Sequence, residues 1–226
     1  LGGAMLPTNP MLESQNVNLG TKIEYRNPLN NLFFNVGANY NRSHSNIIAN
    51  SVLGDSGLAV VTYEILENGR SSTTENAEVG KYFPKFKSNM SVSFRNTDSR
   101  ADQFRNSQFF QNEANGQSLG FKFNNTYFSW MSMDYTFSLG RNANKSILGS
   151  SKSGSFQHNL SVIFYPIENH SIGLNWDQMN YTQNSATYKN AFYDITYQYT
   201  WAKKKMDFEL KWMNIANQKY YERLTD

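Results

Sequence analysis

The sequence predicts an all-β fold, a transmembrane antiparallel up-and-down β-barrel segment of roughly ten strands that belongs to a larger barrel. Three observations predict it. The first is the stretch from Ala191 to Met213, two alternating runs about a basic turn, Ala202-Lys-Lys-Lys205. Ala191, Tyr193, Ile195, Tyr197, Tyr199 and Trp201 take every second place, with polar residues at most positions between; Met206, Phe208, Leu210 and Trp212 then alternate with Asp207, Glu209 and Lys211. Successive strand side chains point to opposite faces, so this is a hairpin with one apolar and one polar face. The second is composition. Aromatics make up 15% of the chain, with 14 Tyr and 16 Phe, yet mean hydropathy is −0.63. A sheet with one face in lipid and the other in water has both properties. The third is the order of connections, tight ones at Asn27, Pro84, Phe128, Pro166 and Lys203 separated by longer polar ones near Arg42, Asn96, Arg141 and Thr182. Outer-membrane barrels place short turns on one side and long loops on the other.

The 226 residues read as one unit, with coil over 1–15, strands over 16–216 and a tail over 217–226. Val17, Leu19, Ile23 and Tyr25 share a face in the first strand, and Asn27-Pro-Leu-Asn-Asn31 turns the chain because Pro and Asn set its backbone angles. Leu32, Phe34, Val36, Ala38 and Tyr40 alternate in the second strand, and 42–57 reads as a polar connection. The stretch 58–83 is weakly patterned, alternating only over 76–80. Pro84-Lys85 turns again, and Met90, Val92 and Phe94 alternate before a polar stretch over 96–117. Leu119, Phe121 and Phe123 follow, then the short aromatic Tyr127-Phe-Ser-Trp130, then Met131, Met133, Tyr135, Phe137 and Leu139. After a Ser-, Asn- and Lys-rich loop over 140–154 come Leu160, Val162 and Phe164, a turn over 166–169, then Ile172, Leu174 and Trp176. A loop over 182–188 leads to the opening hairpin. The first strand enters a tight connection and the last leaves one, so both chain ends are expected on the long-connection side. Whole bacterial barrels begin and end on the periplasmic side, so further strands are expected before Leu1 and after Asp226.

Asn9-Pro-Met-Leu12, Asn18-Leu-Gly20, Glu75-Asn-Ala-Glu78, Ile195-Thr-Tyr-Gln-Tyr199 leading through the Lys triplet to Leu210, and Asn214-Ile-Ala-Asn-Gln-Lys-Tyr-Tyr221 resemble the C-terminal barrel portion of TonB-dependent receptors, in the variant of the Bacteroidota. The resemblance implies a 22-stranded barrel with a plugged lumen, energised solute uptake, residence in the cell outer membrane, and partnership with a plug domain and the TonB system; the polar loops around Asn46, Asn96 and Lys145 are candidates to meet a ligand or a surface lipoprotein. The chain departs from the pattern in showing no plug, no TonB box and no final strand ending in Phe. The alternative reading is a non-transporting barrel that serves as scaffold in an assembly or secretion complex.

Lys22, Glu24, Arg95, Lys122, Asp134, Asp177, Asp194, Glu209 and Lys211 fall on the polar face and are the expected lumen residues. Charge belongs there, because Lys or Arg facing lipid costs about 2–4 kcal/mol at mid-depth. Tyr25, Tyr40, Tyr135, Trp176, Tyr197, Trp201 and Trp212 are expected as membrane anchors on the other face. Other classes lack support. A net charge of +3 with no long basic run argues against a nucleic-acid partner. The chain has no cysteine, and the histidines at 44, 158 and 170 lack metal-ligand spacing, so no metal or cofactor is expected. His158 is expected near a loop. No nucleophile elbow or phosphate-binding glycine loop is present, so no enzymatic activity is expected.

Overall fold

The computed structural model describes residues 12–53, 59–147, 149–184 and 186–217. Ten strands form one sheet in chain order, each antiparallel to the next. They are β1 (Ser14–Asn27), β2 (Leu32–Leu53), β3 (Ala59–Phe83), β4 (Ser88–Arg105), β5 (Gln108–Asn125), β6 (Met131–Ser146), β7 (Gly149–Phe164), β8 (His170–Gln183), β9 (Ala186–Trp201) and β10 (Met206–Trp212). β1 and β10 are the two edges. Short one-turn helices at Pro84–Phe86 and Ala202–Lys204 are the only helical elements among the described residues.

Cross-strand pairing carries one parity across all ten strands. Tyr25 opposes Phe34, Phe34 opposes Val79, Val79 opposes Val92 and Val92 opposes Phe121. The row continues through Phe137 and His158. Paired residues share a face, so the apolar sets of successive strands merge into one continuous surface. The other face is mostly polar, with Phe33, Phe110, Ile163, Met179 and Phe192 interspersed. Among the described residues no second layer covers either face beyond the tip of the β2–β3 hairpin. Ile48 and Phe110 are the only buried hydrophobic residues among those described, and the accessible surface is 16840 Å², against about 10,500 Å² for a compact protein of this mass.

Both ends of the sheet are built differently from the sequence expectation. The described residues of the supposed long connections at 42–57, 96–117, 140–154 and 182–188 are strand, apart from turn residues at Asn106, Ser107, Ile147 and Asn184. β4 and β5 pair from Ser88↔Asn125 to Arg105↔Gln108 without interruption, and only Asn106 and Ser107 turn the chain. Both have positive φ, 49° and 60°, the requirement of a type I′ hairpin turn. The described part of the weakly patterned 58–83, Ala59–Phe83, is also strand. The connections at the opposite end run to four or five residues, and four of the five end on a left-handed residue, Asn31, Lys87, Asn169 or Lys205. Loop length therefore does not distinguish the two ends; what distinguishes them is a set of polar hairpins projecting past the apolar zone. Their Asn, Ser and Thr residues have no hydrophobic period, so the sequence hides them, while the backbone ladder continues regardless. Two bounds also move: β1 starts at Ser14 and β10 ends at Trp212. The expected tail beyond Asn217 and the motif at Asn9 lie outside the described residues.

The longest of these hairpins bends. The β2–β3 register shifts between Ser45 and Ile47, and Asn68 pins the irregularity by donating to the carbonyls of Ser45 (3.0 Å), Ile47 (2.8 Å) and Leu66 (3.0 Å). β3 leaves β4 beyond Arg70↔Ala101, and β2 takes the vacated edge in a short parallel pairing, Asn50↔Phe104 and Ser51↔Arg105. The Asn106 amide donates to the Ser51 carbonyl at 3.3 Å. Here Ile48, Asn50 and Phe110 are buried. Phe110 carries polar-face parity, whereas Phe109 on the opposite face stays 48% exposed. The bent hairpin thus covers the polar-face side of the β4–β5 tip.

Substituting Asn68→Ala should leave three carbonyls without their shared donor, at a local cost of about 1–3 kcal/mol. Amide hydrogen exchange should accelerate over 46–68 and stay unchanged over β6–β9; acceleration spread over the whole sheet would contradict a local latch.

Candidate functional site: the two faces of the sheet

Polar-face side chains are held by direct cross-strand partners. Asn124 opposes Asp134 and donates to its Oδ1 at 2.5 Å. Asn159 opposes Asp177 and bonds it through the same amide-to-carboxylate geometry. Thr200 donates to Asp207 at 2.7 Å, and the Asn214 amide donates to Asp194 at 2.6 Å. The two in-strand pairs are Lys22 with Glu24 and Lys211 with Glu209 at 3.1 Å.

All nine expected lumen residues lie on this one face by ladder parity. The ladder adds Arg26, Arg70, Glu78, Arg105 and Asp207, which the sequence reading did not single out. Together they are segregated. Over β1–β5 the face carries Lys22, Arg26, Arg70, Arg95, Arg105 and Lys122 against Glu24 and Glu78. Over β6–β10 it carries Asp134, Asp177, Asp194, Asp207 and Glu209 against Lys211. The face is balanced in total and polarised from side to side, a pattern visible only once strand order is known.

Small residues crowd the same face. Gly20, Gly37, Gly80, Gly116, Gly120, Gly140 and Gly173 all have polar-face parity. A Cβ on Gly140 would meet Ser155 Oγ at 2.6 Å, on Gly120 Ser93 Oγ at 2.7 Å, and on Gly80 the Phe33 ring at 2.4 Å. Neighbouring side chains lean over each glycine, as happens where side chains converge on the concave side of a bent sheet.

On the apolar face, seven aromatics were expected as anchors, and all seven carry that parity. Tyr25 and Trp201 lie at the border with the four- and five-residue turns, and Tyr40, Trp176 and Trp212 at the border with the projecting hairpins. Tyr135 and Tyr197 sit mid-strip instead, and each bonds a histidine: Tyr135 to His158 Nδ1 at 2.5 Å and Tyr197 to His170 Nδ1 at 2.7 Å. A hydroxyl in an apolar zone needs such a partner. His158 is not near a loop, as the sequence suggested; it lies within β7, paired with Phe137 and Gln178 and ringed by Phe156 at 4.4 Å and Trp176 at 5.6 Å. At the border with the four- and five-residue turns Tyr127, Phe128, Trp130 and Phe164 form a ring chain with centroid spacings of 5.1, 5.2 and 6.1 Å.

All three histidines lie on the apolar-parity face, His44 opposing Gln15 and Gly69, so the polar face holds no imidazole for acid–base work. No group of three or more His, Asp or Glu among the described residues is arranged to hold a metal ion. What the polar face offers is amide and hydroxyl hydrogen bonding between a cationic and an anionic half. No protein family, curated protein or solved structure matches the chain.

Tyr135→Phe should cost about 1 kcal/mol by stranding the His158 nitrogen. Adding His158→Phe should recover most of it, because two apolar rings leave nothing unpaired. Denaturant unfolding of the single and double variants measures the difference, and equal losses that simply add would contradict the pairing.

Proposed function

We propose that the chain is a wall of an outer-membrane β-barrel, its apolar face against lipid and its polar face lining the interior of a receptor-like barrel for solute uptake or capture. The observation that carries this is the outline of the apolar strip. In β2 it runs from Leu32 to Tyr40, and in β9 from Tyr193 to Trp201, nine residues each. A spanning strand needs about 9–11. Following the pairing from Leu32 through Lys81, Met90, Phe123, Tyr135, Leu160 and Trp176 leads to Tyr193. The lower border of the strip in β2 is thus level, along the hydrogen-bond rows, with its upper border in β9. Both borders slide by eight residues over seven strand steps. At ~3.4 Å per residue and ~4.8 Å per strand, a flat band drawn through them crosses the hydrogen-bond rows at about 39°, so the strands tilt by that angle from the band's normal. Barrel strands tilt by about 35–45°. The band is then about 21 Å tall between its terminal Cα atoms, matching the ≈ 25 Å apolar belt of such barrels once side chains are added.

A soluble sheet has no reason to hold its apolar strip to a constant tilted band, whereas a bilayer imposes one. The glycine-lined polar face supports inward curvature, and the balanced but divided charge supports an interior that faces a polar body, such as a plug or a solute, over an open ion-selective pore. The structured tip made by the bent β2–β3 hairpin favours a second reading, in which the barrel docks a partner at that end as part of a larger assembly.

Val162→Arg places a charge at mid-band and should cost about 2–4 kcal/mol of stability in lipid, while Ser161→Arg, one residue away on the polar face, should cost about 0–1 kcal/mol. Equal costs, or a protein that stays monodisperse without detergent, would refute the membrane reading. A photo-crosslinker at Arg95 or Asp177 distinguishes the functions: a crosslink within the same polypeptide supports a plugged receptor, and one to a separate protein supports the assembly reading.

A further inference from the structure

Above the apolar band, at the end with projecting hairpins, the outward face changes character between the two halves of the sheet. Over β2–β5 its cations Arg42 and Arg100 are accompanied by Asp98, Asp102 and Glu113, and Arg100 pairs with Glu113 at 3.3 Å. Over β6–β9 the same face presents Arg141, Lys145, Lys152 and Lys189 with no carboxylate among the described residues. All four are exposed, and none takes part in an ion pair with a described residue. The ladder partners of Arg141 (Gln117 and Gly154), Lys152 (Ala143) and Lys189 (Asn180) carry no charge, while Lys145, at the edge of the patch, opposes Glu113.

Their heights follow from the pairing. Arg141 stands one outward position beyond Leu139, the last apolar residue of β6. Lys189 stands just beyond Ala191 in β9, and Lys152 four residues beyond Phe156 in β7. In the tilted frame these three lie about 7–15 Å above the apolar border, and Lys145 slightly higher. The headgroup zone of a bilayer occupies about the first 5–8 Å, and Lys and Arg stems reach several ångströms beyond or below their Cα atoms. The acidic residues of these strands face the other way, into the polar face, so the half-sheet β6–β10 directs its anions inward and its cations toward the lipid border.

We propose that Arg141, Lys145, Lys152 and Lys189 form a docking surface for phosphate-bearing lipid headgroups of the leaflet at the hairpin end. This rests on the membrane reading above. The surface is continuous with the lipid-facing strip, and the four cations are spread along the border rather than converging on one point. That arrangement suits several headgroups ranged along a wall and not a single free phosphate ion. Each cation near a charged lipid surface contributes about a fivefold gain in association.

The test reconstitutes the protein in nanodiscs of phosphatidylcholine doped with a minor fraction of phosphatidylglycerol or lipid A, and measures anionic lipid retained per protein after extraction. Wild type should be enriched over the bulk fraction. The variant R141Q/K145Q/K152Q/K189Q should lose more than about tenfold in association, and K203Q/K204Q/K205Q, at the opposite border, should keep the enrichment. Insertion with no enrichment, or enrichment equal in both variants, overturns this proposal alone. Failure to insert overturns the membrane reading on which it rests. Full competition by millimolar inorganic phosphate at constant ionic strength overturns the lipid assignment in favour of a free-anion site.

Discussion

One uninterrupted antiparallel ladder governs this molecule. Its ten strands satisfy one another's backbone groups in strict chain order, and the two-residue period of the side chains then assigns every residue to one of two faces. A slip of one residue in any pair would move a row of Phe, Tyr and Trp to the charged side. No buried core enforces the register among the described residues, since only Ile48 and Phe110 are buried apolar side chains. The register is held instead by cross-strand pairs such as Asn124–Asp134 and Tyr25–Phe34 and by turns that end on left-handed Asn or Lys. A single layer has nothing of its own to bury its apolar face against, so the stability of this fold is tied to what covers that face from outside.

The strands within the apolar band were legible because their chemistry repeats every second residue. Met131 to Leu139 and Ala191 to Trp201 show the pattern without a break. The projecting hairpins were not legible. Asp98, Asn115, Asn144 and Ser151 sit in strands as regular as any other, but both of their faces are polar and no period marks them. The contrast between short and long connections therefore dissolved into a contrast between apolar and polar strand. Nor could sequence alone foresee the β2–β3 bend, which rests on one Asn side chain reaching three carbonyls.

For the polar face, the residue types were legible and their arrangement was not. Each charge was assigned to its face by local alternation, yet the division into a cationic β1–β5 half and an anionic β6–β10 half exists only in the assembled sheet. The same holds for the cations above the apolar band, contributed by β6, β7 and β9 from positions far apart in sequence. Two charge patterns, one on each face of the same half-sheet, follow from nothing more than strand order and parity.

The most direct measurement is accessibility along β6 in a lipid bilayer, read by nitroxide labels placed singly from 131 to 146 and relaxed by oxygen or by a water-soluble nickel chelate. Odd positions from 131 to 139 should favour oxygen and even positions the chelate, with both parities turning to the chelate beyond Arg141. Uniform chelate access at both parities throughout the strand would contradict a sheet that divides hydrocarbon from water.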